Sequence, residues 1–379
     1  MSAATPSSPQ ETHAFESVGC NIDVAICIDN DAFTRLRPVI RHLCVGLVDL
    51  SARVRIITSS PESSALASLG PVEVLGHPEM IWPLRRRRVR KIVDMLSARR
   101  PNVVYAFASG RYQLGGWLAE ALDNDLVVQV TSAGDVDALG LIPAGQARQV
   151  IAASKPLLVM LEQRARMRQE QLTVVRPGVL RGSGPTTFLD ENRIPAMVCT
   201  SRLEPDSGLD MVIDASAIVR RHGQALLTFL VGSGGHEAAL RKRVRDRAQS
   251  SYVTFARPSG DMAEVIRGAD LFVLPPGEEA ISARPLQAMA NGTVVICFEG
   301  GVADFFHDGE TAIVCKERTA KALAAAIERL LADHALARTI AANAVEYVKK
   351  RHQMSTMAEL TMGVFKQVAL SRATFKIGQ

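Results

Sequence analysis

At 379 residues the chain exceeds one typical domain and has room for two full cores, and 47% hydrophobic residues argue for a folded protein. The net charge is +5, from 44 Lys and Arg against 39 Asp and Glu. That is mild for this length, and aromatics at 5% leave base-stacking platforms poorly supplied, so no nucleic-acid partner is expected. No run approaches the ~18 apolar residues of a membrane span; the first 20 residues carry no Lys or Arg, so no secretory signal is expected and the chain reads as cytoplasmic.

Residues 1–15 are Ser/Pro-rich and read as a disordered tail. From there short β-type runs alternate with helical patterns. Strands are expected at 22–28, 54–58, 72–75, 103–107, 126–130, 149–153 and 172–175, with helices such as 35–50 and 112–122 between them, the order of a parallel sheet with crossover helices. A first Rossmann-like domain is therefore placed at 16–181. Residues 182–195, rich in Gly, Pro and polar side chains, read as a linker. The scheme repeats over 196–353, with strands near 196–200, 226–231, 252–255, 270–274, 293–298 and 311–315, and a helical stretch at 354–373 ends the pattern. The six cysteines, at 20, 27, 44, 199, 297 and 315, form no Cys-x-x-Cys pair; three sit in strand-like runs, so they read as buried thiols and not as a zinc site or a disulfide framework.

The segment LFVLPPGEEAISARPLQAMANGTVVICFEGG, 271–301, carries the most information: an apolar strand, an acidic loop, a short helix, a second strand and a Gly-Gly turn. In an open α/β sheet such a loop lies at the carboxyl end of its strand, where ligands meet a helix N-terminus. Glu279 stands on the loop and Gln287 eight residues on, inside a helix that Ser282 or Arg284 could begin; Pro285 is tolerated only in a first turn, which supports that start.

Here the chain resembles the retaining GT-B glycosyltransferases of family 4 (glycosyl transferases group 1). Pro275, Glu279, Gln287, Ala288 to Ala290 and Gly292 fall on the family's Pro, its two acidic residues, Ala-Met-Ala and Gly; SRLEPDSGLDMVIDA (201–215), LLTFLVGSGG (226–235) and GGVADFFHDGETAIV (300–314) are similar to its other donor-side segments. The resemblance covers about 195–350. It implies two Rossmann-like domains facing across a cleft, a C-terminal helix crossing back to the first domain, and a nucleotide-diphosphate sugar as co-substrate, with neither cofactor nor catalytic metal. Glu279, Gln287, Arg202 and Gly301 should then converge on one inter-domain cleft.

By that resemblance Arg202 binds the diphosphate and Glu279 the donor sugar, and these two would carry catalysis. A guanidinium fork suits phosphate oxygens, although Arg202 read alone could pair with Glu204 or Asp206. Ser207 stands where the family has Lys, and Arg284, otherwise an exposed helix residue, could compensate. Gln287 replaces the ribose-binding Glu, or caps its own helix. Ser282 stands in place of a Gly, and Asp304 in place of a Glu. Gly234, Gly300 and Gly301 permit close backbone approach to the donor or serve as tight turns.

The first domain departs further. The loop after its first strand, 29–38, has no glycine, and the family's His falls on Ser132. Asp135 matches a frequent acidic residue on the acceptor side, with an N-cap as its structural alternative. The cluster Arg85 to Lys91 opens a helix with Val89, Ile92, Val93 and Leu96 on one stripe. Such a basic face suits either solvent or anionic lipid at the inner face of a membrane, as for a carbohydrate or lipid-linked acceptor. The departures at Ser201, Ser207, Ser282 and Gln287 leave an inactive binding or assembly protein as the rival reading. An NAD-dependent oxidoreductase, suggested by GSGG after a strand, fails at Glu237, where the third fingerprint glycine belongs.

Overall fold

The computed structural model describes residues 21–59, 72–77, 84–142, 146–180, 182, 187–190, 192–257, 262–276 and 280–377. Two parallel sheets organise it. The first contains β1 (Asp23–Ile28), β2 (Arg53–Thr58), β3 (Glu73–Gly76), β4 (Val103–Phe107), β5 (Asp125–Val130), β6 (Ala147–Ala152) and β7 (Leu172–Val174), in the order β3-β2-β1-β4-β5-β6-β7. The second contains β8 (Ala196–Thr200), β9 (Leu227–Val231), β10 (Val253–Ala256), β11 (Leu271–Val273), β12 (Val294–Phe298) and β13 (Ile313–Cys315), in the order β10-β9-β8-β11-β12-β13. Strands such as DVAICI and AMVCT are apolar throughout and buried along their whole length, as both faces of a parallel sheet require. Strand order reverses between β1 and β4 and between β8 and β11. Ligands of such sheets bind outside the carboxyl ends at these switch points.

The expected strands recur within two residues at each end, the last helix runs four residues further than expected, and one larger correction concerns the first helix. The first helix is Asn30–Asp49, so 29–38 is almost wholly helical and is no loop. Asp29 causes this: it is extended (φ −94°) and its carboxylate accepts from the Ala32 N–H at 2.7 Å, an N-cap placed directly after β1. Pro38 falls inside the helix, and Leu36, two residues earlier, departs from helical angles (φ −117°).

The last helix, Met354–Ile377, packs on the first helix and on β4, β5 and β6, so it crosses back to the first sheet. Phe365 meets Tyr105 of β4 edge-on at 5.2 Å. At the break before this helix, the buried His352 shares a hydrogen bond through Nδ1 with the Pro177 carbonyl at 2.8 Å, which ties the break to the segment after β7. Burial pushes the imidazole down from 6.5 to about 4. The ring is therefore neutral in the fold, while the unfolded chain takes up a proton near pH 6.5, so stability present above that pH is lost as pH falls toward 4. The full span is worth about 3 kcal/mol. Urea unfolding at pH 7.5 and pH 5 should show this loss in the wild type and much less of it in His352→Gln; equal losses would remove His352 as its source.

Candidate donor site

Two cavities adjoin at the carboxyl ends of the second sheet, and Ala280 lines both. One is formed by the loop after β8 (Arg202, Glu204, Ser207), by Arg284, and by Asp31 and Arg35 of the first helix, so it lies between the two sheets. The other is formed by Pro275 and Ser282 on one side and by Glu299, Gly300, Gly301 and Arg318 on the other. Arg202, Ser207 and Arg284 thus come together, and Ser282, Gly300 and Gly301 come together beside them. Gln287 is half-buried and lines neither cavity. Glu279 lies outside the described residues, immediately before Ala280.

Local chemistry explains the arrangement. Ser282 is the N-cap of the Ala283–Ala290 helix, extended at φ −124° and accepting from the Arg284 N–H at 3.4 Å. Pro285 occupies the first turn, where its missing N–H leaves no bond unmade. Arg284 extends toward the Thr200 carbonyl at 3.4 Å, which brings its guanidinium beside the loop that carries Arg202. Gly300 has φ +95°, a backbone angle that favours glycine, and it turns the chain after β12.

Several expected roles need correction. The Ser207 hydroxyl donates to the Glu204 carbonyl at 2.6 Å, so its hydrogen is used within its own turn and is not offered to a phosphate. Asp135 is 2% exposed and its carboxylate accepts from Ser109 N, Thr131 N, Thr131 Oγ1 and Ser132 N, within a capping box with Ser132; nothing is left for an acceptor. The Asp304 carboxylate pairs with Arg176 at 2.7 Å and accepts from Lys155 N, a junction between the loop after β12 and the first domain. Gly234 lines neither cavity; a side chain there would overlap the Leu203 carbonyl, so this glycine serves the packing of one loop on another.

The join between the two sheets at the site rests on residues distant along the chain. Ser132, at the position of the expected His, forms an antiparallel bridge with Ala280, and the Ile281 N–H donates to the Thr131 carbonyl at 2.8 Å. Arg35 reinforces the join by donating from Nη1 to the Ile281 carbonyl at 2.9 Å and to Thr131 Oγ1 at 3.3 Å. A signal existed: an Arg one turn into the helix that directly follows β1, facing the same crevice as the loops of the second sheet.

Among the described residues no group of three His, Cys, Asp or Glu is placed to hold a metal ion. The five described cysteines are buried and form no disulfide with one another, and burial pushes Cys27 and Cys44 up to about 12, so neither supplies a thiolate at neutral pH. The basic cluster opens the Arg85–Ser97 helix, whose Val89, Ile92 and Leu96 are buried while Arg85 lies over the Trp117 ring at 5.3 Å. Among the described residues no helix is long and apolar enough to cross a membrane.

Residues 194–333 match the model of the glycosyl transferases group 1. Solved structures superpose over nearly the whole chain. A complex of Anabaena HepE with UDP and glucose covers 92% of this chain and 100% of its own, with a TM-score of 0.77 and 18% identity. A sucrose-phosphate synthase from Thermosynechococcus elongatus covers 93% and 100%, with a TM-score of 0.71 and 19% identity. The fold is GT-B. Its second domain carries the group 1 match, so the resemblance to GT-B glycosyltransferases holds, and the dinucleotide-oxidoreductase reading of the GSGG turn is set aside. Curated relatives match a little under half of the chain. A GDP-mannose-dependent phosphatidylinositol monomannoside mannosyltransferase of Mycobacterium tuberculosis is 28% identical over 174 residues, 43% of this chain and 45% of the relative. An α-D-kanosaminyltransferase of Streptomyces kanamyceticus is 25% identical over 182 residues, 46% of each. The chain spans about half the length of these relatives.

Proposed function

We propose that this GT-B protein is an active glycosyltransferase that moves a sugar from a nucleotide-diphosphate sugar to a carbohydrate or lipid-linked acceptor, with retention at the anomeric carbon. The observation that carries the reading is the meeting of Arg202 and Arg284 in one cavity at the carboxyl ends of β8 and β11, beside the N-terminus of the Ala283–Ala290 helix. When the bond from the anomeric carbon to the diphosphate breaks, negative charge grows on the leaving phosphate. Fixed guanidinium groups and a helix dipole stabilise that charge without reorganising, the largest single contribution open to a site with no metal. Glu279 is assigned to the sugar hydroxyls, since it precedes the residue that both cavities share. Gln287, which lines neither cavity, is left without a part in the donor assignment.

The acceptor belongs on the first-domain side, across the join at Ser132 and Ala280. A mannosyltransferase relative that acts on a phosphatidylinositol glycolipid favours a lipid-linked acceptor, and the Arg85 to Lys91 face is the surface suited to anionic headgroups. A binding screen against UDP-, GDP- and ADP-sugars, repeated with EDTA, tests the donor assignment. One of these should bind with or without chelator, and be slowly hydrolysed or transferred with the anomeric configuration of the donor kept. Strict dependence on added manganese or magnesium would contradict the metal-free reading, and inversion would contradict retention.

A further inference from the structure

Resting on the donor-site reading above, we infer that the diphosphate is held from both domains: Arg35 of the first domain completes a set with Arg202 and Arg284, and Asp31 competes with the phosphates for the same guanidinium groups. The loss of the lysine at 207 is then met by a cation from the opposite wall. Two observations carry this. Arg35, Arg202 and Arg284 line one cavity, although Arg35 comes from the first helix and the other two from the second domain. The single carboxylate of Asp31 spans two of them, with Oδ1 3.6 Å from Arg202 Nη1 and Oδ2 3.6 Å from Arg35 Nη2.

The geometry suits exchange. Arg35 is held through Nη1 by the Ile281 carbonyl and Thr131 Oγ1, and its side chain is 18% exposed, so its second nitrogen is aimed into the cavity by fixed contacts. The Asp31 side chain is 61% exposed and that of Arg202 is 78% exposed, so the ion pairs around Asp31 are solvated and hold weakly. A diphosphate offers more oxygens and more charge than one carboxylate, in a form that a guanidinium binds through two parallel hydrogen bonds. Among the described residues the other acidic groups of the cavity are Glu204, whose Oε1 accepts from the Gly235 N–H at 3.2 Å, and Asp206 on the same loop; neither is paired with Arg35 or Arg202. Because Arg35 also bonds the Ile281 carbonyl beside the donor loop, the same residue couples diphosphate binding to the join between the domains.

Calorimetric titration of the full chain with inorganic pyrophosphate and with UDP, GDP and ADP tests the inference. Arg35→Gln should weaken pyrophosphate binding by about tenfold or more, as loss of a charge-assisted contact does. Arg35→Lys should recover part of it. Asp31→Asn should tighten pyrophosphate several-fold, a gain that no purely structural role of Asp31 or Arg35 produces. If Arg202→Gln weakens binding while Arg35→Gln and Asp31→Asn leave it unchanged, this inference falls and the donor site stands. If Arg35→Lys binds no better than Arg35→Gln and Asp31→Asn gives no gain, Arg35 serves only the domain join and the inference likewise falls. If neither wild type nor Asp31→Asn binds pyrophosphate or any of the three diphosphates, the donor-site reading falls and takes the inference with it.

Discussion

Glu279→Ala is expected to lower sugar transfer by about 10²- to 10³-fold while leaving the affinity for the free nucleoside diphosphate nearly unchanged, and Arg202→Ala is expected to lower both. The difference follows from the charges each residue would meet. The nucleoside diphosphate presents only phosphates and ribose to Arg202, so loss of that guanidinium removes a charged hydrogen bond from product and donor alike, worth about 1.5–3 kcal/mol, or roughly 10- to 100-fold in affinity. Glu279 is assigned to hydroxyls that the free nucleotide lacks, so on this assignment its carboxylate contributes only when the sugar is present. The two variants are compared by titration with the free diphosphate and by initial transfer rates under saturating donor. Equal losses of diphosphate affinity in both would place Glu279 on the nucleotide and overturn its assignment to the sugar.

The fold was legible because a parallel sheet writes itself in apolar runs: the seven- and six-stranded sheets fall on the runs around 22–175 and 196–315, with strand ends displaced by at most two residues. The helix start at Ser282 was legible for a local reason, a cap residue two places before Arg284 and a proline where only a first turn admits one. What the sequence hid depends on partners distant along the chain. Asp135 and Asp304 read in sequence as acids near the site, and only their contacts show that one is consumed by four donors at the start of a helix and the other by Arg176 and Lys155. Arg35 shows the reverse case. In sequence it is one arginine of several in a basic helix, and its value comes from Ile281, 246 residues away. Ser132 likewise acquires its role from Ala280, through a backbone bridge that no residue type announces.

The glycines divide by the same test and yield the second large effect. Gly232→Ala is expected to destabilise the second domain severely and to abolish donor binding, whereas Gly301→Ala is expected to fold normally and to weaken donor binding alone. A methyl group at Gly232 would overlap the Ser201 carbonyl oxygen, and the Leu203 side chain closes the other side. Relief therefore requires β8 and β9 to part at their carboxyl ends, where the Ser201 N–H donates to the Val231 carbonyl and the Gly232 N–H to the Ala256 carbonyl. Overpacking of this kind costs about 1–3 kcal/mol, and more where backbone rather than side chain must move. Because Arg202 follows Ser201, the same displacement carries its guanidinium away from Arg284. At Gly301 no atom of the described residues lies within 4 Å of the added carbon, so the described fold accommodates it, yet the residue faces the cavity beside Ser282. Thermal unfolding and diphosphate titration of the two variants separate the cases. If Gly301→Ala loses as much stability as Gly232→Ala, its place is one of packing; if it keeps both stability and full donor affinity, the Gly300-Gly301 turn lies outside the donor site.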